Sequence, residues 1–172
     1  MGNPFSILFN RKKPQILIIG LDAAGKSTIL NQLGLGTVEN FQIGIGYQQK
    51  KLETKSFNIF TWNIQGPNGV RLIWKHFYET SQALVLVVDL TDKERMEEIK
   101  EWLEYCLIDN KKNQLPLLIY ANKIDLAQIS FNDLVSELKF EKFSNNWHLQ
   151  PCCAITREGI EDGFTWILQQ IK

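Results

Sequence analysis

Short apolar runs alternate with segments of helical periodicity along the whole chain. The apolar runs lie at 15–19, 57–64, 83–88, 115–121 and 149–154, and the helical segments at 26–33, 71–79, 92–107, 131–138 and 159–171. In the last segment, apolar residues recur at the spacing of one buried helix face. Continuous apolar strands separated by helices are typical of an α/β protein with a mostly parallel sheet covered on both faces.

One part of the pattern differs, because residues 47–54 run into 56–63 across a connection too short for a parallel crossover. Such a connection permits only an antiparallel pair. No internal repeat, low-complexity tract or long linker interrupts the 172 residues, so the pattern predicts one globular domain at 15–172, preceded by an arm at 1–14.

The turn after the first strand carries a complete phosphate-binding motif. Residues 20–27 read GLDAAGKS and match G-x-x-x-x-G-K-[ST], with the strand QILII before them and the helical STILNQL after them. Its glycines allow backbone N–H groups to turn towards a phosphate, and the following helix aims its positive end at the same anion. We expect Lys26 to bridge β- and γ-phosphate oxygens, and Ser27 to give its hydroxyl to Mg²⁺.

A second motif indicates which base is bound. Asn122, Lys123 and Asp125 form N-K-x-D at the carboxyl end of a strand, the edge at which open α/β sheets bind ligands. A buried carboxylate at Asp125 can accept hydrogen bonds from guanine N1–H and the exocyclic amine, which adenine cannot offer. We expect the stem of Lys123 to lie across the base and Asn122 to tie its loop to the phosphate loop.

These two motifs, in this order, resemble those of small GTPases, and further blocks narrow the resemblance to the Arf/Arl (ADP-ribosylation-factor-like) family. The blocks are WNIQGPNGVRLIWKHFY at 62–78, VVDLTDKER at 87–95 and CAITREGIEDGFTWI at 153–167. The resemblance implies a three-layer P-loop fold with a six-stranded sheet and five helices, binding GTP or GDP. It also implies that the Ala154 N–H donates to guanine O6. The implied nucleotide-contacting residues are Asp22, Ala23, Ala24, Gly25, Lys26, Ser27, Thr28, Gly66, Asn122, Lys123, Asp125, Cys153, Ala154 and Ile155.

The departures from the family pattern lie where the γ-phosphate and Mg²⁺ would bind. Gln42 stands at the position of the switch I threonine that coordinates Mg²⁺, and Asn63 at that of an acidic residue. Pro67 replaces the glutamine that orients the attacking water, and proline has no side-chain donor or acceptor. We therefore expect no catalytic residue at this position, weak or absent Mg²⁺ binding, and little hydrolysis.

Three further positions concern partners and loops. Ile45, Trp62 and Phe77 match the family's exposed hydrophobic triad that binds effector proteins, although Trp62 can equally be a core aromatic. Asp89 ends an apolar strand as a Walker-B aspartate does, but it aligns elsewhere in the family, so we interpret it as a loop cap.

The amino terminus predicts a membrane anchor. MGNPFS fits M-G-x-x-x-[ST] for myristoylation of Gly2, and apolar residues and the basic Arg11-Lys12-Lys13 follow. One acyl chain with a basic cluster supplies two membrane signals. Three cysteines without a secretory leader indicate an intracellular, cytoplasmic protein associated peripherally with membranes.

Charge excludes one class of partner. Lys plus Arg and Asp plus Glu both number 19, so no basic footprint for nucleic acid exists. Two functions stay open: a conventional GTP-hydrolysing switch, and a pseudo-GTPase that holds guanine nucleotide and offers a binding surface. The replacements at Gln42, Asn63 and Pro67 favour the second. A small-molecule kinase on the same phosphate loop lacks a lid or second substrate segment.

Overall fold

A computed structural model describes residues 13–42, 48–63, 77–110, 115–142 and 146–171. The strands are β1 (Gln15–Gly20), β2 (Val38–Gln42), β3 (Gln48–Glu53), β4 (Asn58–Asn63), β5 (Ala83–Asp89), β6 (Leu117–Asn122) and β7 (Trp147–Cys152). The helices are α1 (Lys26–Gln32), α2 (Met96–Asn110), α3 (Phe131–Leu138) and α4 (Ile160–Gln170), with short 3₁₀ turns at Ile124–Leu126 and Phe140–Lys142. Residues 77–80 are also helical, at the end of the helix predicted for 71–79.

The described strands form one mixed sheet in the order β2-β3-β4-β1-β5-β6-β7. The β3–β4 pair is antiparallel, as predicted, and β1, β4, β5, β6 and β7 pair in parallel. The α/β class and the mostly parallel sheet are thus confirmed, and the described residues contain the expected five helices when residues 77–80 are included.

Within the described residues the sheet has seven strands, where six were expected. The additional strand, β2, reads VENFQ and pairs antiparallel with β3 at one edge of the sheet. Its sequence has no continuous apolar run. Glu39 and Asn40 are exposed, and the strand pairs with β3 through main-chain hydrogen bonds. The pattern of apolar residues therefore could not reveal it.

Side chains of the central strands alternate between two cores. On one face, residues such as Leu17, Leu86 and Ile119 pack with apolar residues of α2 and α3. On the other face, residues such as Ile18, Val85 and Leu118 pack with those of α1 and α4. This is the three-layer arrangement in which both sheet faces exclude water. In the described part of the chain, no helix has the length and apolar character of a membrane span.

Two local features place α2 and α4. The α2 helix was predicted from residue 92 but begins at Met96, because the Asp92 side chain accepts the Arg95 N–H and forms a turn there. At the start of α4, the buried Tyr120 hydroxyl donates to Ile160 O over 2.6 Å. Gly163 allows this approach, since a Cβ there would lie 2.6 Å from the Tyr120 ring.

Candidate nucleotide-binding site

The carboxyl ends of five parallel strands bring the predicted motifs to one edge of the sheet. Gly20 at the end of β1 is in register with Asn63 of β4, and Asp89 at the end of β5 is in register with Asn122 of β6. Asn122 is in turn opposite Cys152 of β7. The loops that follow these residues surround the place at which open α/β sheets bind ligands.

The phosphate loop connects β1 to α1 in a tightly wound conformation. Ala23 and Gly25 both have positive φ angles, of 57° and 102°. A Cβ at Gly25 would lie 2.2 Å from the Asn122 side-chain nitrogen, so only glycine fits there. No side chain caps the N-terminus of α1. The loop therefore has the backbone form that lets N–H groups converge on a phosphate.

Lys26 lies buried beneath this loop. Its ammonium group donates to the carbonyl oxygens of Gly20 (2.9 Å) and Leu21. Burial lowers the pKa of Lys26 to about 8, while the nearby Asp22 carboxylate opposes that shift. Because burial disfavours the charged form of Lys26, an anion that enters the loop would stabilise the ammonium.

Asn122 connects the phosphate loop to the loop that follows β7. Its amide nitrogen donates to Ala24 O over 2.8 Å, as expected from the sequence, and its oxygen accepts the Ala154 N–H over 3.0 Å. The Ala154 N–H, assigned to guanine O6 by resemblance, thus already has a protein partner and can reach O6 only as a shared donor. The Cys152 thiol also donates to this oxygen, and burial keeps that thiol protonated by raising its pKa to about 12.

Asp125 is exposed, whereas a buried carboxylate was expected. It lies in the short 3₁₀ turn after β6, beside the loop that follows β7. The Cys153 thiol donates to its Oδ1 over 3.4 Å and so orients the carboxylate. Ile155 and Leu126 are also exposed, at 78% and 63%, and add apolar surface to the two loops.

Asp89 and Lys123 form an ion pair between the β5 and β6 loops. Asp89 also accepts the N–H and hydroxyl of Thr91, so the predicted loop-capping role is the one the structure has. Burial opposes ionisation here, but hydrogen bonds from Lys123 and Thr91 lower the pKa of Asp89 below its ordinary value. The ion pair holds the Lys123 ammonium beside Asp89. The aliphatic stem of Lys123 is therefore positioned by a loop that is anchored at this ion pair.

The phosphate loop has an ion pair that sequence reasoning missed. Arg95, just before α2, pairs with the carboxylates of Asp22 and Asp92. The block VVDLTDKER contains both Asp92 and Arg95, but nothing in their spacing points to a residue more than seventy positions earlier. The same holds for the two thiol contacts, since two adjacent cysteines in the sequence carry no signal for hydrogen bonds to Asn122 and Asp125.

The predicted metal-binding positions are only partly described. Ser27 is half-buried at the start of α1, and Asn63 ends β4. The Gln42 side chain, Gly66 and Pro67 lie outside the described residues. Among those that are described, no group of three or more His, Cys, Asp or Glu side chains could hold a metal ion. The described donors at this position, a hydroxyl and an amide, are neutral, whereas Mg²⁺ favours carboxylates.

The predicted partner surface is corrected at one residue. Trp62 is only 2% exposed and packs against Phe77, with ring centroids 5.6 Å apart, so it is a core aromatic in this structure. Its place in the middle of the sheet, with Phe60 also on Phe77, explains the burial. Phe77 is half-buried, and Ile45 lies outside the described residues.

The last residue of the basic cluster contacts the β3–β4 hairpin. The Lys13 ammonium donates to the Glu53 carboxylate over 3.1 Å and to Thr54 O over 2.8 Å. Hydrogen bonds from Lys51 and Lys13 lower the pKa of Glu53. Gly2 and the rest of the arm before Lys13 lie outside the described residues.

A glycine-rich phosphate loop between strand and helix, held by the asparagine of N-K-x-D, defines a GTP-binding protein of the small GTPase class. The family model described as "Arf: ADP-ribosylation factor family" matches residues 1–171. The chain belongs to the ADP-ribosylation factor family.

Individual relatives agree with this assignment. The chain is 37% identical to ADP-ribosylation factor J of Dictyostelium discoideum, over 99% of this chain and 92% of that protein. It is 36% identical to ADP-ribosylation factor K of the same organism over the same shares, and 37% identical to factor F over 96% of this chain and 90% of that protein.

Proposed function

We propose that this Arf-family protein holds guanine nucleotide as a stabilising ligand, hydrolyses GTP poorly, and acts as a binding module: a pseudo-GTPase. The observation that carries the proposal is Asn63. It ends β4 in register with Gly20, where the phosphate loop begins, and it presents an amide where the family pattern has a carboxylate.

Nucleotide binding itself is supported by the phosphate loop and the residues that hold it. The phosphate loop has its glycine conformation and its buried Lys26, and Asn122 holds it against the loop after β7. In the proposed complex, backbone N–H groups of Asp22–Thr28 and the Lys26 ammonium bind phosphates, and Asp125 binds the base. Gly66, Cys153, Ala154 and Ile155 complete the contacts implied by the resemblance.

Hydrolysis needs more than this. Phosphoryl transfer requires an oriented water and stabilised charge on the transferring group. A bound Mg²⁺, which Ser27 would help to hold, would supply part of that charge stabilisation. Pro67 cannot orient a water, and Ser27 is the one family ligand for Mg²⁺ kept in the sequence. The carboxylates of Asp22 and Asp89 are held by Arg95 and Lys123. We infer that ground-state binding is retained while the reaction is slow.

The second candidate is a conventional Arf-like switch in membrane trafficking. Membership of the family and the complete phosphate and guanine motifs favour it. The two candidates differ in turnover, which can be measured directly.

We expect the single-turnover rate of GTP hydrolysis by the full chain to be below about 10⁻⁴ s⁻¹, which is slower than that of an unassisted small GTPase. Restoring the family residues with Gln42→Thr, Asn63→Asp and Pro67→Gln should raise the rate roughly tenfold or more, because each 1.36 kcal/mol of barrier is tenfold in rate. A matched control is Asn40→Thr, an exposed change in the same strand as Gln42. Robust hydrolysis by the unmodified chain would establish the conventional switch instead.

We propose membrane attachment through Gly2, with a protein partner bound near Ile45 and Phe77. A single myristoyl chain binds bilayers only marginally, so a basic cluster or partner must add to it. Lys13 is hydrogen-bonded to the hairpin, which leaves Arg11 and Lys12 as the cluster's contribution.

Gly2→Ala is expected to release the protein from the membrane fraction, because N-myristoylation requires the amine of an N-terminal glycine. Asn3→Ala, beside it, keeps Gly2 and serves as the control. An unmodified amino terminus in the intact mass of the native protein would rule out the anchor.

A further inference from the structure

The phosphate loop contains an anion of its own. Asp22 is the third residue of the GLDAAGKS motif, and its carboxylate is on the loop that is proposed to receive a polyphosphate. Like charges repel at close range, and this holds also for a carboxylate that, like Asp22, is 57% exposed to water. An unneutralised Asp22 would therefore weaken phosphate binding.

Arg95 neutralises this carboxylate and also fixes it in place. Its NH1 group pairs with Asp22 Oδ1 at 2.5 Å, and its NH2 group is 3.4 Å from the Asp22 carbonyl oxygen. On the other side, its Nε donates to Asp92 Oδ2 over 2.6 Å. The guanidinium thus contacts the loop through both side chain and main chain, and Asp92 determines its orientation.

Arg95 is attached to a helix that is fixed in the core, whereas the phosphate loop that it contacts is strained. Arg95 directly precedes α2, whose residues Met96, Ile99 and Leu103 are buried in the core. Next to Asp22 in the loop, Ala23 has a positive φ of 57°, a conformation that costs a non-glycine residue energy. Contacts from a fixed element can maintain such a conformation.

We propose that Arg95 is a positioning residue for nucleotide retention: it cancels the Asp22 charge and holds the phosphate loop in its binding conformation. The proposal rests on the proposed function only in taking guanine nucleotide as the ligand. An exposed ion pair by itself contributes little to stability. Its effect should appear in nucleotide release rather than in the unfolding of the whole protein.

The test is dissociation of a fluorescent GDP analogue from the full chain. Arg95→Ala should speed dissociation roughly tenfold, which corresponds to about 1.4 kcal/mol. In an Asp22→Asn background, the same Arg95→Ala change should speed it threefold or less, because no charge is left to neutralise. Lys100→Ala is the matched control, since it removes an exposed cation of α2 that pairs with Glu97.

The coupling between the two positions separates positioning from a general structural role. An effect of Arg95→Ala within twofold of the unmodified chain overturns the proposal. An equal effect with and without the Asp22 carboxylate also overturns it, because Arg95 would then act independently of that charge.

A second measurement distinguishes failure of this proposal from failure of the proposed function. Hydrogen exchange of the amides of residues 22–25 is followed in the full chain without added nucleotide. Arg95→Ala should speed this exchange roughly fivefold or more, whereas Lys100→Ala should not. If the unmodified chain binds no guanine nucleotide, the proposed function fails, and faster exchange in Arg95→Ala still supports the contact. Unchanged hydrogen exchange in Arg95→Ala overturns the proposal that Arg95 positions the loop.

Discussion

Replacing Lys26 with alanine is expected to lower the affinity for GDP and GTP by roughly 100-fold or more. The ammonium is the cation of the phosphate loop, and each hydrogen bond from a charged group contributes about 1.5–3 kcal/mol. In the free protein this ammonium is buried and donates to the carbonyl oxygens of Gly20 and Leu21. Equilibrium titration with a fluorescent guanine nucleotide measures the loss.

Lys26→Met is the matched control, because it keeps the apolar stem and removes only the charge. It should lose as much affinity as Lys26→Ala, while its free form unfolds at a temperature no lower than that of the unmodified chain. Unaltered nucleotide binding by either variant would show that the phosphate-loop assignment is wrong.

The pH dependence of nucleotide affinity is an independent test of Lys26. Burial lowers the pKa of Lys26 in the free protein to about 8 from the ordinary 10.5, and bound phosphates would raise it. Binding above pH 8 must therefore take up a proton, and affinity should fall as pH rises, by up to tenfold per pH unit. The unfolding free energy of the free protein should rise over the same window, since the unfolded chain retains more protons. The Lys26→Met variant should show neither this pH dependence of affinity nor this pH dependence of the unfolding free energy.

Asp125→Asn is expected to lower guanine affinity at least about 100-fold and to remove the preference over other bases. A carboxylate accepts from both N1–H and the exocyclic amine, whereas an amide presents a donor to one of them. The Cys153 thiol contacts Oδ1, so it should keep the amide oxygen on its side and direct the new N–H₂ towards the base. Xanthine, which has a carbonyl in place of the exocyclic amine, should then bind better than guanine.

Competition among guanine, adenine and xanthine nucleotides measures this change. Glu137→Gln makes the same carboxylate-to-amide change on the exposed face of α3 and should leave the preference as it is. An Asp125→Asn variant with unchanged guanine affinity and preference would show that the base is recognised elsewhere.

Much of the fold could be predicted because burial leaves a periodic pattern. β5 and β6 are apolar at nearly every position, since both faces of a central parallel strand are covered. The α3 helix was predicted at its observed bounds, since Ser130 caps it and Leu134 and Leu138 are buried one turn apart. At the sheet edges the pattern fails. There β2 was missed, and β7 begins at Trp147, two residues before its predicted start, because a half-buried edge strand has no continuous apolar run.

The sequence by itself determined the class of protein, the phosphate loop and the N-K-x-D motif, because each depends on residue types at short, fixed spacings. It also showed the replacements at Gln42, Asn63 and Pro67. Only the tertiary structure decided that Trp62 is buried and that Asp125 is exposed. It also decided that Arg95 holds Asp22 and that both thiols contact the guanine motif. These contacts join residues from separate strands and loops, and a hydrogen bond or ion pair across such a distance in sequence leaves no periodic signal along the chain.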